Sequence, residues 1–86
     1  MNKYRYEYFK KDKLTGKVLD YKEATVEESN FSQVFDHVLA NHFYKDEMAD
    51  GLHYYQVLVW KEGVKLGNKG FEERIYLNSQ EHKFGR

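Results

Sequence analysis

Apolar and polar residues alternate along the first part of the chain. Between Lys3 and Lys11, Tyr4, Tyr6 and Tyr8 fall on one side, and Lys3, Arg5 and Glu7 on the other. Period-two alternation of aromatic residues predicts a β-strand over 3–11. Asp12 to Lys17 read as a hairpin loop, with Gly16 free to take positive φ. A return strand is expected over 17–23, with Leu19 and Tyr21 on one face. The period then changes. Phe31, Val34, Phe35, Val38, Leu39, His42 and Phe43 repeat at three and four residues and form one stripe of an amphipathic helix, placed at 30–45. Asn30 with Gln33 fits a capping box, and Thr25 with Glu28 offers a second possible start. Asp50 and Gly51 end the segment. Residues 52–60 form the next strand and 71–77 the last. The connection between them is rich in glycine, and the polar tail over 78–86 is expected to fray.

The order ββαββ predicts an α+β fold: a two-layer unit with a four-stranded antiparallel sheet and one amphipathic helix packed on one face. Tyr4, Tyr6, Tyr8, Leu19, Tyr21, Tyr55, Val57, Val59, Phe71, Ile75 and Leu77 are assigned to the helix side. The opposite face then carries Phe9, Val18, Tyr54, Leu58, Trp60 and Tyr76 among Arg5, Glu7, Lys22 and Arg74. A one-residue register change would swap these sets, yet either assignment leaves aromatics on both faces. One helix covers one face, so the other presents an aromatic patch. The N-terminus, the 61–70 loop or the tail could fold over it. A second copy or a different partner could equally cover it.

Length bounds the possibilities. Eighty-six residues make one small domain, which buries only about 60–65% of the surface its unfolded chain exposes. The chain has no cysteine, which removes disulfides, thiolate catalysis and cysteine-based zinc sites. No apolar run approaches the ~18 residues of a membrane span, and no apolar segment follows the charged N-terminus as in a signal peptide. A soluble, cytoplasmic protein with no membrane partner is expected. The codons for its 11 lysines, 8 tyrosines and 5 asparagines are AT-rich, and there are only 3 alanines and no proline. That points to an AT-rich bacterial or phage genome.

The 14 basic and 14 acidic side chains cancel, but unevenly. Residues 1–22 carry +4, residues 23–50 carry −6 and residues 51–86 carry +2. Glu27 and Glu28 are placed before or within the first helical turn, where the macrodipole favours them. Asp36 and Glu47 fall on the outer helix face, either as solvated charges or as an acidic surface for a basic partner. Lys10, Lys11, Lys13 and Lys17 gather near the first hairpin, where they guard an edge or contact phosphate.

Chemistry finds little support. His42 lies in the helix stripe, where a hydrogen-bonded core role is the ordinary one. With Asp46 it makes at most half a metal site, so no metal or other cofactor is expected. His37 is expected to face outward beside Asp36. The serines have no nucleophile elbow around them. Glu72 and Glu73 are adjacent on a strand and point to opposite faces. The Gly63–Gly70 segment lacks the ending of a phosphate loop. The chain therefore reads as a non-catalytic protein-binding module, not an enzyme. Trp60, Tyr54, Leu58 and Tyr76 are its anchors, and Asp36, Glu47, Lys11 and Lys13 set orientation. Self-association as a homodimer is expected. The composition also suits a phage or mobile-element accessory protein that binds and inhibits a host factor. The alternative is a single-stranded nucleic-acid binder, with Tyr54, Trp60 and Tyr76 stacking bases beside Arg5, Lys22 and Arg74. Neutral charge and a pI near 6.9 argue against it.

Overall fold

The computed structural model describes residues 1–43, 53–64, 70–77 and 80–83. Strand β1 (Asn2–Asp12) turns into β2 (Val18–Glu28). Helix α1 (Phe31–Val38) follows and continues as a π-helical turn over Leu39–Phe43. Strands β3 (His53–Lys61), β4 (Phe71–Leu77) and β5 (Gln80–Lys83) complete the fold. All neighbouring strands are antiparallel, in the order β2-β1-β3-β4-β5. The four long strands and the single helix are the expected α+β layers, with a short fifth strand in the segment read as a polar tail.

The first hairpin closes on Asp12. Its carboxylate accepts from the Leu14 and Thr15 amides at 2.9 and 3.0 Å. Those bonds hold the Asp12 carboxyl below the usual carboxylate range. Gly16 takes φ of +75° and donates to the Asp12 carbonyl at 2.8 Å, a left-handed position that favours glycine. A register irregularity at Lys10/Lys11 follows on the strand side of this turn.

Strand β2 runs five residues beyond the expected end, so Glu27 and Glu28 pair with Lys3 and Asn2 instead of entering the helix. Thr25 is likewise within the strand and starts no helix. The Asn30 start is realised. The Asn30 side chain accepts from the Gln33 amide at 3.0 Å, and the Gln33 side chain accepts from the Ser29 amide at 3.0 Å. This is close to a capping box, displaced by one residue on the return bond. Asp50 and Gly51 lie outside the described residues.

The core is a layer of tyrosine and valine under this short helix. Tyr4, Tyr6 and Tyr8 from β1 and Tyr55, Val57 and Val59 from β3 are buried against Val34, Phe35 and Val38. Ala24 and Val26 extend the layer onto β2. Tyr4 meets Phe31 edge-on at 5.1 Å, and Tyr8 stacks on Tyr55 at 5.9 Å. Tyrosine suits a thin core because its ring is buried while its hydroxyl can reach a polar partner.

Beyond the register irregularity, β2 carries the opposite face assignment from the one expected, as does β4, whereas Val18 pairs with Lys11 on the open face as expected. On β2, Tyr21 pairs with Phe9 and lies on the open face, while Lys22 pairs with Tyr8 on the helix side. The apolar residues that β2 gives the core, Ala24 and Val26, stand in the stretch read as beyond the strand. On β4, Tyr76 pairs with Tyr55 and is 4% exposed within the core, so it is no anchor on the open face. Phe71 and Ile75 pair with Trp60 and Gln56 and occupy the open face instead. Arg74 also turns to the helix side. Its guanidinium lies 4.3 Å from the Phe35 ring centroid, bonds Glu72 at 2.9 Å and reaches Ser32 at 3.3 Å. The helix flank there admits a long side chain whose stem packs while its head stays paired.

In chemical denaturation, Phe35→Ala should cost about 3–5 kcal/mol, because it empties the centre of the helix contact. Asn30→Ala should cost about 1 kcal/mol through loss of the cap alone.

Candidate functional site: the open sheet face

Strand alternation places Arg5, Glu7, Phe9 and Lys11 of β1 away from the helix, because Tyr4, Tyr6 and Tyr8 point toward it. Tyr54, Gln56, Leu58 and Trp60 of β3 share that open face, between buried Tyr55, Val57 and Val59. Cross-strand pairing arranges these side chains in rows. Thr25, Arg5, Trp60 and Phe71 form one row. Glu23, Glu7, Leu58 and Glu73 form the next. Tyr21, Phe9, Gln56 and Ile75 form the third, and Lys11 with Tyr54 begins the fourth.

The acid row needs compensation, since like charges directly opposite each other destabilise a sheet. Arg5 supplies it. Its guanidinium bonds Glu7 at 2.9 Å, approaches Glu23 to 3.6 Å and lies 4.1 Å from the Trp60 ring centroid. Trp60 in turn packs against Phe71 at 5.2 Å. At the other flank, Lys11 donates to the Gln56 side-chain oxygen at 2.7 Å, and the Gln56 amide donates to Glu73. The Lys11 ammonium also lies over the Phe9 ring at 5.2 Å and near Tyr54 at 6.0 Å. The Tyr21 ring packs tilted against Phe9 at 4.9 Å, and its hydroxyl donates to Glu23 at 2.9 Å. The Tyr21 phenol is pushed up to about 12 by desolvation, by the hydrogen bond to Glu23 and by the charges of Glu23 and Glu7.

Tyr54, Leu58, Trp60 and Lys11 are thus gathered on one half-buried surface. Lys13 stands apart, exposed at the hairpin tip, and Asp36 is exposed on the outer face of α1. Glu47 and Asp46 lie outside the described residues. Phe71, Ile75 and Tyr21 belong to the face but were assigned to the core by parity. Their side is set by strand pairing: Phe71 is paired with Trp60, Ile75 with Gln56 and Tyr21 with Phe9.

His37 and His42, on α1 and the π-helical turn, pack against the tyrosine row of β1. His42 bonds the Tyr6 hydroxyl at 3.0 Å and stacks on Tyr8 at 5.0 Å. His37 is half-buried instead of outward, 6.2 Å from the Tyr6 ring, with Nδ1 at 3.9 Å from Glu28. Both roles are packing roles. Among the described residues no three acidic or histidine groups gather as metal ligands, and no helix is long and apolar enough to cross a membrane.

The chain matches no protein-family model, no curated protein and no solved structure.

The raised Tyr21 value has a stability consequence with a definite sign. A phenol held protonated in the fold stabilises it fully below the unfolded value near 10, and that contribution is lost as pH rises toward about 12. Burial raises the Tyr6 phenol as well, so ultraviolet titration of the tyrosinate band should show more than one late-ionising phenol, of which the Tyr21 step alone moves down in Glu23→Gln.

Proposed function

We propose that this chain is a non-catalytic protein-binding module whose contact surface is the open sheet face. The observation that carries the reading is an aromatic and aliphatic surface, Trp60, Leu58, Tyr54, Phe9, Phe71 and Ile75, over which no described element packs. Trp and Tyr are characteristic anchors of protein interfaces, and a contiguous apolar patch on a small domain marks a contact site. Arg5, Lys11 and Gln56 satisfy the carboxylates between the rings. A partner can therefore cover the face without stranding a bare charge. A host factor is one such partner.

The charge of the face favours protein over nucleic acid. Among the described residues it carries Lys3, Arg5 and Lys11 against Glu7, Glu23, Glu27 and Glu73. Lys22 and Arg74, which a nucleic-acid platform would need there, lie on the helix side. Phosphate binding calls for a cationic surface, and this one is slightly acidic.

Trp60 is the sole tryptophan, so its fluorescence reports directly on the face. Oligonucleotide titrations at low salt should leave its emission unchanged. Immobilised wild type should capture protein that Trp60→Ala releases, with the variant's circular dichroism intact. A salt-dependent shift on adding single-stranded DNA or RNA, or equal capture by both forms, refutes the reading.

A further inference from the structure

Resting on that reading, we propose that the occupant of the open face is a second copy of this chain, packed sheet against sheet. Area, charge and symmetry each support it.

The face spans four strands, and β1 contributes the run from Lys3 to Lys11. At ~4.8 Å between strands and ~3.3 Å per residue, its footprint is roughly 19 by 28 Å. Two such footprints amount to about 1,000–1,100 Å², the size at which a specific protein interface becomes credible. Most of that surface must be used, so the partner has to be nearly flat and of matching extent. Another copy of the same sheet meets that requirement, and sheets pack face to face in this way in sandwiches.

Charge points the same way. A strongly acidic or basic partner would find little complement on a face whose bases and acids nearly cancel. A second copy brings an equally balanced surface. Three of the four acids stand in one row, Glu23, Glu7 and Glu73, with Arg5 one row to one side and Lys11 two rows to the other, while Glu27 pairs with Lys3 at the far end. Copies need only avoid laying the acid row on itself. Offset or reversed packings then set it over aromatic or basic rows. A two-fold arrangement is closed and stops at two copies.

The test is solution mass by light scattering on untagged protein from about 10 μM to about 1 mM, the range that resolves micromolar association. Twice the chain mass is expected. Leu58→Lys places a charge at the centre of the face, between Glu7 and Glu73, and Phe71→Asp places one at a 41% exposed position that the fold tolerates more easily. Each should weaken association at least about tenfold, with circular dichroism unchanged. Leu14→Asp, at the exposed hairpin tip, should leave the dimer intact. A dimer that survives both face variants, or that Leu14→Asp dissociates, overturns the proposal by showing a different contact. A monomer throughout the range also overturns it. Trp60-dependent capture of another protein would then leave the binding reading standing, and loss of capture as well would end both.

Discussion

The structure depends on the packing of one two-turn helix against the tyrosine row of β1. Tyr4, Tyr6 and Tyr8 give the sheet a continuous aromatic ridge, and Val34, Phe35 and Val38 press onto it and onto Val57 and Val59. So short a helix covers only one part of one sheet face. The π-helical turn continues coverage by bringing His42 onto Tyr6 and Tyr8. Arg74 extends it sideways by laying its guanidinium over Phe35. Polar side chains here finish a core that aliphatic residues alone do not fill.

That economy leaves the second face without a covering element, and sheet alternation decides its content. Every tyrosine sent inward from β1 sends Arg5, Glu7 or Phe9 outward, and every valine sent inward from β3 sends Gln56, Leu58 or Trp60 outward. The outer face is thus not free to be uniformly polar. What the chain does is interleave. Cations sit over rings, carboxylates sit beside cations, and Gln56 bridges Lys11 to Glu73. Such pairing lowers the cost of exposing aromatics to water and also of covering the charges later.

The central strands and the helix were legible because their patterns are long and unambiguous. β1 alternates through Tyr4, Tyr6 and Tyr8, β3 through Tyr55, Val57 and Val59, and the helix stripe through Phe31, Val34, Phe35 and Val38. Trp60, Leu58 and Tyr54 followed from the same parity. The edges were not legible, for a physical reason. In β4 both parities contain apolar residues, Phe71 and Ile75 on one and Tyr76 on the other, so hydrophobicity cannot choose between them. Pairing chose: Tyr76 meets Tyr55, and Arg74 finds Phe35 and Glu72. In β2, Leu19 and Tyr21 are the apolar pair nearest the turn, yet the strand runs on to Glu28. Its inward residues, Ala24 and Val26, lie in a stretch whose flanking glutamates resemble a helix start.

The same edge effects bear on function. With Tyr76, Lys22 and Arg74 moved to the helix side, the open face loses one ring and two cations. It gains Phe71, Ile75 and Tyr21. Each exchange makes the surface more apolar and less basic, which favours the proposed protein contact over phosphate recognition. Arg5 is central to that balance. Its charge is already shared between Glu7 and Glu23 and its plane already rests on Trp60, so it has little left to offer a phosphate. It rests on the tryptophan and lowers the repulsion between two opposed glutamates. A preorganised aromatic centre with satisfied charges loses little entropy on being covered, which is the property a binding face needs when its area is only just sufficient.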